Sequence, residues 1–85
     1  MVFVTLVRFV PGKGRDAFQE LKRLADPRSS VRGGYMLLTY GQYDGIFVWE
    51  AEDLRQANKR IREINESGLF TTETMLAQPP EDFVF

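Results

Sequence analysis

The chain has 85 residues and a net charge of -1, with 44% hydrophobic and 27% charged residues, and its length limits it to one domain whose folding buries only about 60 to 65% of the unfolded surface. It has no cysteine and no histidine, which excludes disulfides, thiolate nucleophiles, imidazole bases, the usual zinc sites and a histidine haem ligand. The near-neutral charge provides no basic field for direct nucleic acid binding.

The first predicted element is a strand over residues 2–10, which are rich in Val and Phe and end at Pro11-Gly12. Apolar side chains occupy both of its faces, whereas a strand with one solvated face would alternate apolar and polar residues. This run is too short to span a bilayer and is interrupted by Arg8. We therefore expect a cytoplasmic protein that does not associate with membranes.

The first helix is predicted over residues 15–25 by the helical spacing of its apolar residues, Phe18, Leu21, Leu24 and Ala25. It is expected to stop at Asp26, because a residue that precedes proline is biased away from helical geometry. The polar segment that follows is interpreted as a solvated loop rather than as a basic binding patch.

Residues 35–49 predict a β-hairpin, in which two apolar runs are joined by a polar corner. Gly41-Gln42 is expected to form a two-residue turn in which the glycine supplies a positive φ, with Tyr40 and Tyr43 facing each other across it. Asp44 then lies at the rim of the sheet. Its carboxylate can accept a hydrogen bond either from neighbouring backbone or from a ligand amine, and both alternatives stay open.

The second helix is predicted to begin at Asp53, because Asp53 and Gln56 have the spacing of a capping box. It is predicted to end at Ser67-Gly68, since glycine is the usual left-handed residue after a helix. Its apolar residues form one stripe, which consists of Leu54, Ala57, Ile61 and Ile64.

Residues 69–77 alternate well enough to predict a fourth strand, whose threonines favour β structure. Pro79-Pro80 is expected to break the sheet, which divides the chain into a domain over 1–78 and a tail over 79–85. The aromatic residues of the tail are expected to pack against the body or a neighbouring subunit, because apolar side chains gain free energy when they are covered. These residues are Phe83 and Phe85.

The order strand, helix, strand, strand, helix, strand predicts an α+β fold of the ferredoxin-like, split βαβ kind (βαββαβ). Its four-stranded antiparallel sheet carries both helices on one face, so the other face would expose an apolar patch of a size that is rare on a soluble monomer. We therefore expect a homodimer that buries this face. The residues predicted at the dimer interface are Phe3, Val7, Phe9, Phe47 and Trp49.

Five motifs carry a resemblance to a known family, namely PGKGRDAF, GQYD, EAEDL, RIREI and TETM. Together they resemble the ligand-binding domain of the leucine-responsive (Lrp/AsnC) transcription regulators, in a stand-alone form without a DNA-binding helix-turn-helix. The family pattern matches this chain at Gly41, Tyr43, Asp44, Thr72 and Thr74. The resemblance implies dimeric α/β barrels that often assemble into octamers and bind amino acids between dimers.

The resemblance places a small-molecule site at the hairpin corner, where a carboxylate can hold an α-ammonium group and hydroxyls or backbone N–H groups can hold an α-carboxylate. The alternative is that the threonines serve only as β formers. The segment from Asp26 to Gly34 is several residues longer than in the family, a departure that bears on the pocket and on ring assembly. The residues predicted to bind an amino acid are Gly41, Gln42, Tyr43, Asp44, Thr72 and Thr74.

Two other families resemble the chain. The GYD domain is similar through GQYD and through TETMLA followed by Glu81 and Phe83, and small barrel monooxygenases are similar through VTLVRFVPGKGRDAF and FVWE. The monooxygenase alternative would require Trp49 or Tyr40 for turnover. Because no acid and base are paired in the sequence, we predict that the chain is not an enzyme and has no catalytic residue, cofactor or metal site.

Overall fold

A computed structural model describes residues 1–25 and 34–84. The strands form one antiparallel sheet in the order β2-β3-β1-β4, so the predicted ferredoxin-like fold is confirmed. A 3₁₀ turn over Pro80–Asp82 follows the last strand. The elements are β1 (Val2–Phe9), α1 (Gly14–Leu24), β2 (Tyr35–Leu38), β3 (Gly45–Glu50), α2 (Leu54–Asn65) and β4 (Phe70–Ala77).

Helix α2 begins and ends with the predicted signals. Asp53 has an extended backbone, and its carboxylate accepts the N–H of Gln56 at 2.8 Å, which satisfies a donor of the first turn. The Gln56 side chain accepts the N–H of Glu52 at 2.6 Å, one residue before the donor of a standard capping box. After the helix, Gly68 has a φ of 71°, the left-handed conformation that glycine adopts without steric cost.

The inner faces of the helices differ in detail from the predicted stripes. In α1, Ala17 is buried beside Leu21 and Leu24, whereas Phe18 is exposed and lies under the ammonium group of Lys22. In α2, Leu54 is exposed because it is the first helical residue and lies at the edge of the layer. The predicted stop of α1 at Asp26 lies outside the described residues.

The core lies between the helices and one face of the sheet. The rings of Trp49 and Phe3 stack across β3 and β1 with their centroids 4.8 Å apart. The indole N–H of Trp49 donates to Thr5 Oγ1 at 2.8 Å, and this hydroxyl oxygen lies 2.9 Å from Thr74 Oγ1. The helices contribute Ala17, Leu21, Leu24, Ala57 and Ile64 to the same core.

The predicted dimer interface is wrong, because it lies on the face of the sheet that the helices cover. Phe3, Val7, Phe47 and Trp49 are each at most 5% exposed within one subunit, and Phe9 packs against the same core. Strand β1 is apolar on both faces, so its alternation shows which side chains share a face but not which face receives the helices.

On the other side of the sheet, which we call the open face, no helix within residues 1–25 and 34–84 packs. Its central residues on β1 and β3 are half-buried by their neighbours alone, while Tyr35, Leu37 and Met75 are 61%, 54% and 42% exposed. This face therefore presents a continuous apolar surface to solvent. Its apolar side chains are Val2, Val4, Leu6, Tyr35, Leu37, Ile46, Val48 and Met75.

The sheet ends at Ala77, before Pro79-Pro80, as predicted. Beyond it, Phe83 is 52% and Val84 is 95% exposed, so the tail covers little of its apolar surface within one subunit. Phe85 lies outside the part of the chain that the structure describes. Packing of the tail against a neighbouring subunit stays a prediction.

Candidate ligand site at the hairpin corner

The connection between β2 and β3 is wider than the predicted two-residue turn. The N–H of Thr39 donates to the carbonyl oxygen of Asp44 at 3.0 Å, and the Thr39 hydroxyl donates to the carbonyl oxygen of Tyr43 at 2.7 Å. These two bonds close a loop around residues 40–43, so the two-residue turn is wrong. The positive φ predicted for Gly41 is confirmed, with a value of 152°.

Asp44 joins this loop to the end of β1. Its backbone N–H donates to the carbonyl oxygen of Val7 at 2.8 Å, and its carboxylate oxygen Oδ2 accepts the N–H of Phe9 at 2.8 Å. Of the two alternatives for this carboxylate, the structure therefore shows the hydrogen bond to neighbouring backbone. Asp44 holds the corner against the central strand.

Thr72 and Thr74 direct their hydroxyls toward the helices and not toward the loop. Thr72 Oγ1 donates to Asn65 Oδ1 at 2.8 Å, and Thr74 Oγ1 lies at hydrogen-bond distance from Thr5. The six residues predicted to form one ligand site are thus divided. Gly41, Gln42, Tyr43 and Asp44 share the corner, while both threonine hydroxyls have partners in the core layer.

Two further side chains, those of Arg8 and Glu73, meet Tyr43 on the open face, and we call these three residues the corner cluster. The Tyr43 hydroxyl donates to Glu73 Oε2 at 3.0 Å, and the guanidinium carbon of Arg8 lies 5.1 Å from the centre of the Tyr43 ring. Arg8 Nε also donates to the carbonyl oxygen of Gln42 at 3.3 Å. The cluster borders a depression of about 170 Å³, which Leu6, Thr71 and Thr72 also line, although the Thr72 hydroxyl itself bonds to Asn65.

The electrostatics of the corner cluster keep its phenol protonated. The hydrogen bond to Glu73 and the negative charge of that carboxylate raise the pKa of Tyr43, while Arg8 lowers it to a smaller extent. Tyr43 therefore remains a donor at neutral pH, and its ring supports the Arg8 cation by a cation–π contact. The cation of Arg8 thus lies over the face of the ring, while the carboxylate of Glu73 is bonded to its hydroxyl.

Sequence reasoning missed Arg8 and Glu73, although each is the only charged residue of its strand. The β1–β4 register pairs Leu6 with Glu73 and Arg8 with Thr71, which places both charges on the same face near the loop. A lone charge within an apolar strand was the available signal. This signal alone does not bring Arg8 and Glu73 together, because the strand register decides which residues of neighbouring strands lie side by side.

Asp44→Ala should destabilise the fold by about 1 to 3 kcal/mol, because the N–H of Phe9 would lose its acceptor in a partly buried place. Asp44→Asn retains an acceptor oxygen and should lose less. Urea unfolding followed by circular dichroism measures both effects, with Asp82→Ala in the exposed tail as the control. Equal unfolding midpoints for Asp44→Ala and the wild type would rule out the structural role of this carboxylate.

Other surfaces of the molecule offer less chemistry. A broader depression of about 680 Å³ lies along α2, where Arg55, Arg62 and Glu66 contribute charges of both signs. Within residues 1–25 and 34–84, no three acidic side chains are grouped so that they could hold a metal ion. No helix in these ranges is long and apolar enough to cross a membrane.

The chain matches no protein-family model and no curated protein. Among solved structures, the crystal structure of FFRP-DM1 is similar with a TM-score of 0.67 and 25% identity, over 91% of this chain and 97% of that one. FFRP designates proteins of the Lrp/AsnC type. This similarity supports the Lrp/AsnC family.

A second solved structure shares the fold alone. It is the hypothetical protein PHS023 from Pyrococcus horikoshii, with a TM-score of 0.57 and 20% identity over 99% of this chain and 100% of that one. The support for the Lrp/AsnC family therefore comes from FFRP-DM1 and not from this second structure.

Proposed function

We propose that this chain is a regulatory domain of the Lrp/AsnC type that binds an amino acid at the hairpin corner. The observation that carries the proposal is the position of Tyr43. This residue belongs to the Gly-x-Tyr-Asp pattern of the family, and its hydroxyl bonds to Glu73 at the edge of a depression on the open face. The stand-alone form without a DNA-binding segment stays a prediction.

The proposal includes a homodimer in which the open faces of two copies pack together. Burying a large apolar side chain contributes about 1.5 to 3 kcal/mol, so six of them contribute on the order of 10 kcal/mol. Association costs about 4 to 15 kcal/mol, a comparable amount. A second copy is the proposed partner because a two-fold dimer brings the same apolar face of both copies together and removes it from water. The corner cluster lies at the rim of the same face, where a second copy would enclose it.

Calorimetry with each of the common amino acids tests the proposed ligand. We expect at least one of them to release or absorb heat on binding, and native mass spectrometry to show the ligand retained on the assembled protein. Tyr43→Ala should weaken that binding about tenfold or more, since it removes a wall of the depression and the donor to Glu73.

Tyr40→Ala provides a matched control, because Tyr40 belongs to the same loop but is fully exposed. It should bind the amino acid as the wild type does. No heat with any amino acid, in a protein shown to be folded and assembled, would reject the proposal and favour the GYD-type alternative, whose role is unknown.

The proposal assigns no catalytic step to the chain. In the monooxygenase alternative, a change of Trp49 or Tyr40 should stop turnover. Trp49 is 0% exposed and its N–H is bonded to Thr5, so a substrate could reach the indole only by opening the core. This burial argues against Trp49 as a residue that contacts a substrate, while Tyr40 is fully exposed.

A further inference from the structure

We infer that Arg8 and Glu73, which lie outside the pattern shared with the Lrp/AsnC regulators, bind the two charged ends of the ligand, and that the corner selects small free amino acids. The inference rests on the proposed function. Arg8 and Glu73 are exposed, whereas Asp44 is half-buried and bonded to the N–H of Phe9, and both threonine hydroxyls have partners within the subunit.

Glu73 is the group available for an α-ammonium. Its side chain is on the open face, and Oε2 accepts the Tyr43 hydroxyl. No cationic side chain within residues 1–25 and 34–84 forms an ion pair with Glu73. A carboxylate has about four lone-pair sites, so one phenol leaves acceptor capacity for an ammonium group.

Arg8 is the group available for an α-carboxylate. Its Nε is bonded to Gln42 and its guanidinium plane is supported by the Tyr43 ring, so two contacts orient the head group. Neither Nη group has a hydrogen-bond partner among the residues that the structure describes. A guanidinium donates parallel hydrogen bonds to both oxygens of a carboxylate, which a lysine ammonium cannot do.

The spacing of the two groups fits one zwitterion. Arg8 pairs with Thr71 across β1 and β4, which makes Glu73 its diagonal neighbour on the same face. Diagonal neighbours are about 7 to 8 Å apart near the backbone, within reach of two long side chains that converge on one small molecule. Tyr43 contacts both residues, and Arg8 and Glu73 do not form a direct ion pair.

The small size of the depression in one subunit favours a ligand with a small side chain. It measures about 170 Å³, the volume of about five to six water molecules at ~30 Å³ each. Glycine, alanine and serine have a similar number of heavy atoms, whereas tryptophan has far more. Leu6, Thr71 and Thr72 complete the wall and suit a small aliphatic or hydroxyl side chain.

Calorimetry on the wild-type protein tests the inference with glycine, L-alanine, L-serine, L-tryptophan and two analogues of alanine. N-acetyl-L-alanine lacks the ammonium group and L-alaninamide lacks the carboxylate. We expect a small free amino acid to bind, and both analogues and tryptophan to bind at least tenfold more weakly. Binding of either analogue as tightly as L-alanine would overturn the inference without any variant protein.

Variant proteins then test whether Glu73 and Arg8 bind the ligand. Glu73→Gln and Arg8→Met should each weaken binding of the small amino acid at least tenfold, while Glu81→Gln and Arg15→Met remove the same charges from exposed positions elsewhere and should bind as the wild type does. If both site variants are folded and bind with unchanged affinity, the contacts are wrong but the proposed function stands. If no amino acid binds to the wild type, the proposed function fails, and this inference fails with it.

Discussion

Trp49→Ala should lower the free energy of unfolding by about 3 to 5 kcal/mol, the usual cost of truncating a buried aromatic side chain. The ring is 0% exposed, stacks on Phe3 at 4.8 Å and donates its N–H to Thr5. Natural domains are stable by only about 5 to 15 kcal/mol, so this single change would remove a large part of the total. Guanidinium unfolding followed by far-UV circular dichroism measures it, since the fluorescent residue itself is lost.

Trp49→Phe is the control for the polar part of this interaction. It keeps an aromatic ring against Phe3 and removes the indole N–H, while Thr5 Oγ1 keeps its contact with Thr74 Oγ1 at 2.9 Å. We expect a smaller loss than for alanine, because no buried hydroxyl is left without a partner. A Trp49→Ala protein as stable as the wild type would contradict the position of this ring in the core.

Val4→Glu should convert the proposed dimer to a monomer at micromolar concentration. Val4 lies on central strand β1, where it pairs with Val48 of β3 and Met75 of β4, so its side chain is in the middle of the open face. A second copy would bury the new carboxylate without a partner, which is costly, whereas a monomer leaves it in contact with water. Light scattering coupled to size exclusion reports the mass.

Leu54→Glu is the matched control for this experiment. Leu54 is 61% exposed at the start of α2, on the helix side of the sheet, so the same charge there should leave the dimer intact. A wild-type protein that is monomeric at micromolar concentration would contradict the dimer itself. If the Val4→Glu protein remains dimeric, the interface does not lie on the open face.

Local signals in the sequence predicted the elements well. Asp53 with Gln56 gave the start of α2, Gly68 gave its end, and the positive φ of Gly41 follows from the steric freedom of glycine. Each of these signals acts through a few neighbouring residues. They can therefore be recognised in the sequence without knowledge of the tertiary structure.

The assignment of residues to the two sheet faces and to the site required the helix placement and the strand register, which local sequence patterns do not give. Phe3 was expected at a dimer interface because β1 is apolar on both sides, and only the placement of the helices separates the two faces. The site was expected at Thr72 and Thr74, while the β1–β4 register brings the intervening Glu73 to the side of Arg8. A shift of one residue along a strand exchanges the core face for the open face.

The bonds from Trp49 to Thr5 and from Thr5 to Thr74 cross three adjacent strands, β3, β1 and β4. A slip of two residues in either strand pair would keep every side chain on its own face, so apolar residues alone would oppose it weakly. The same slip would leave a buried indole N–H or hydroxyl without a partner, at a cost of about 1 to 3 kcal/mol. These linked polar contacts therefore favour the observed register of β3, β1 and β4 over a register shifted by two residues.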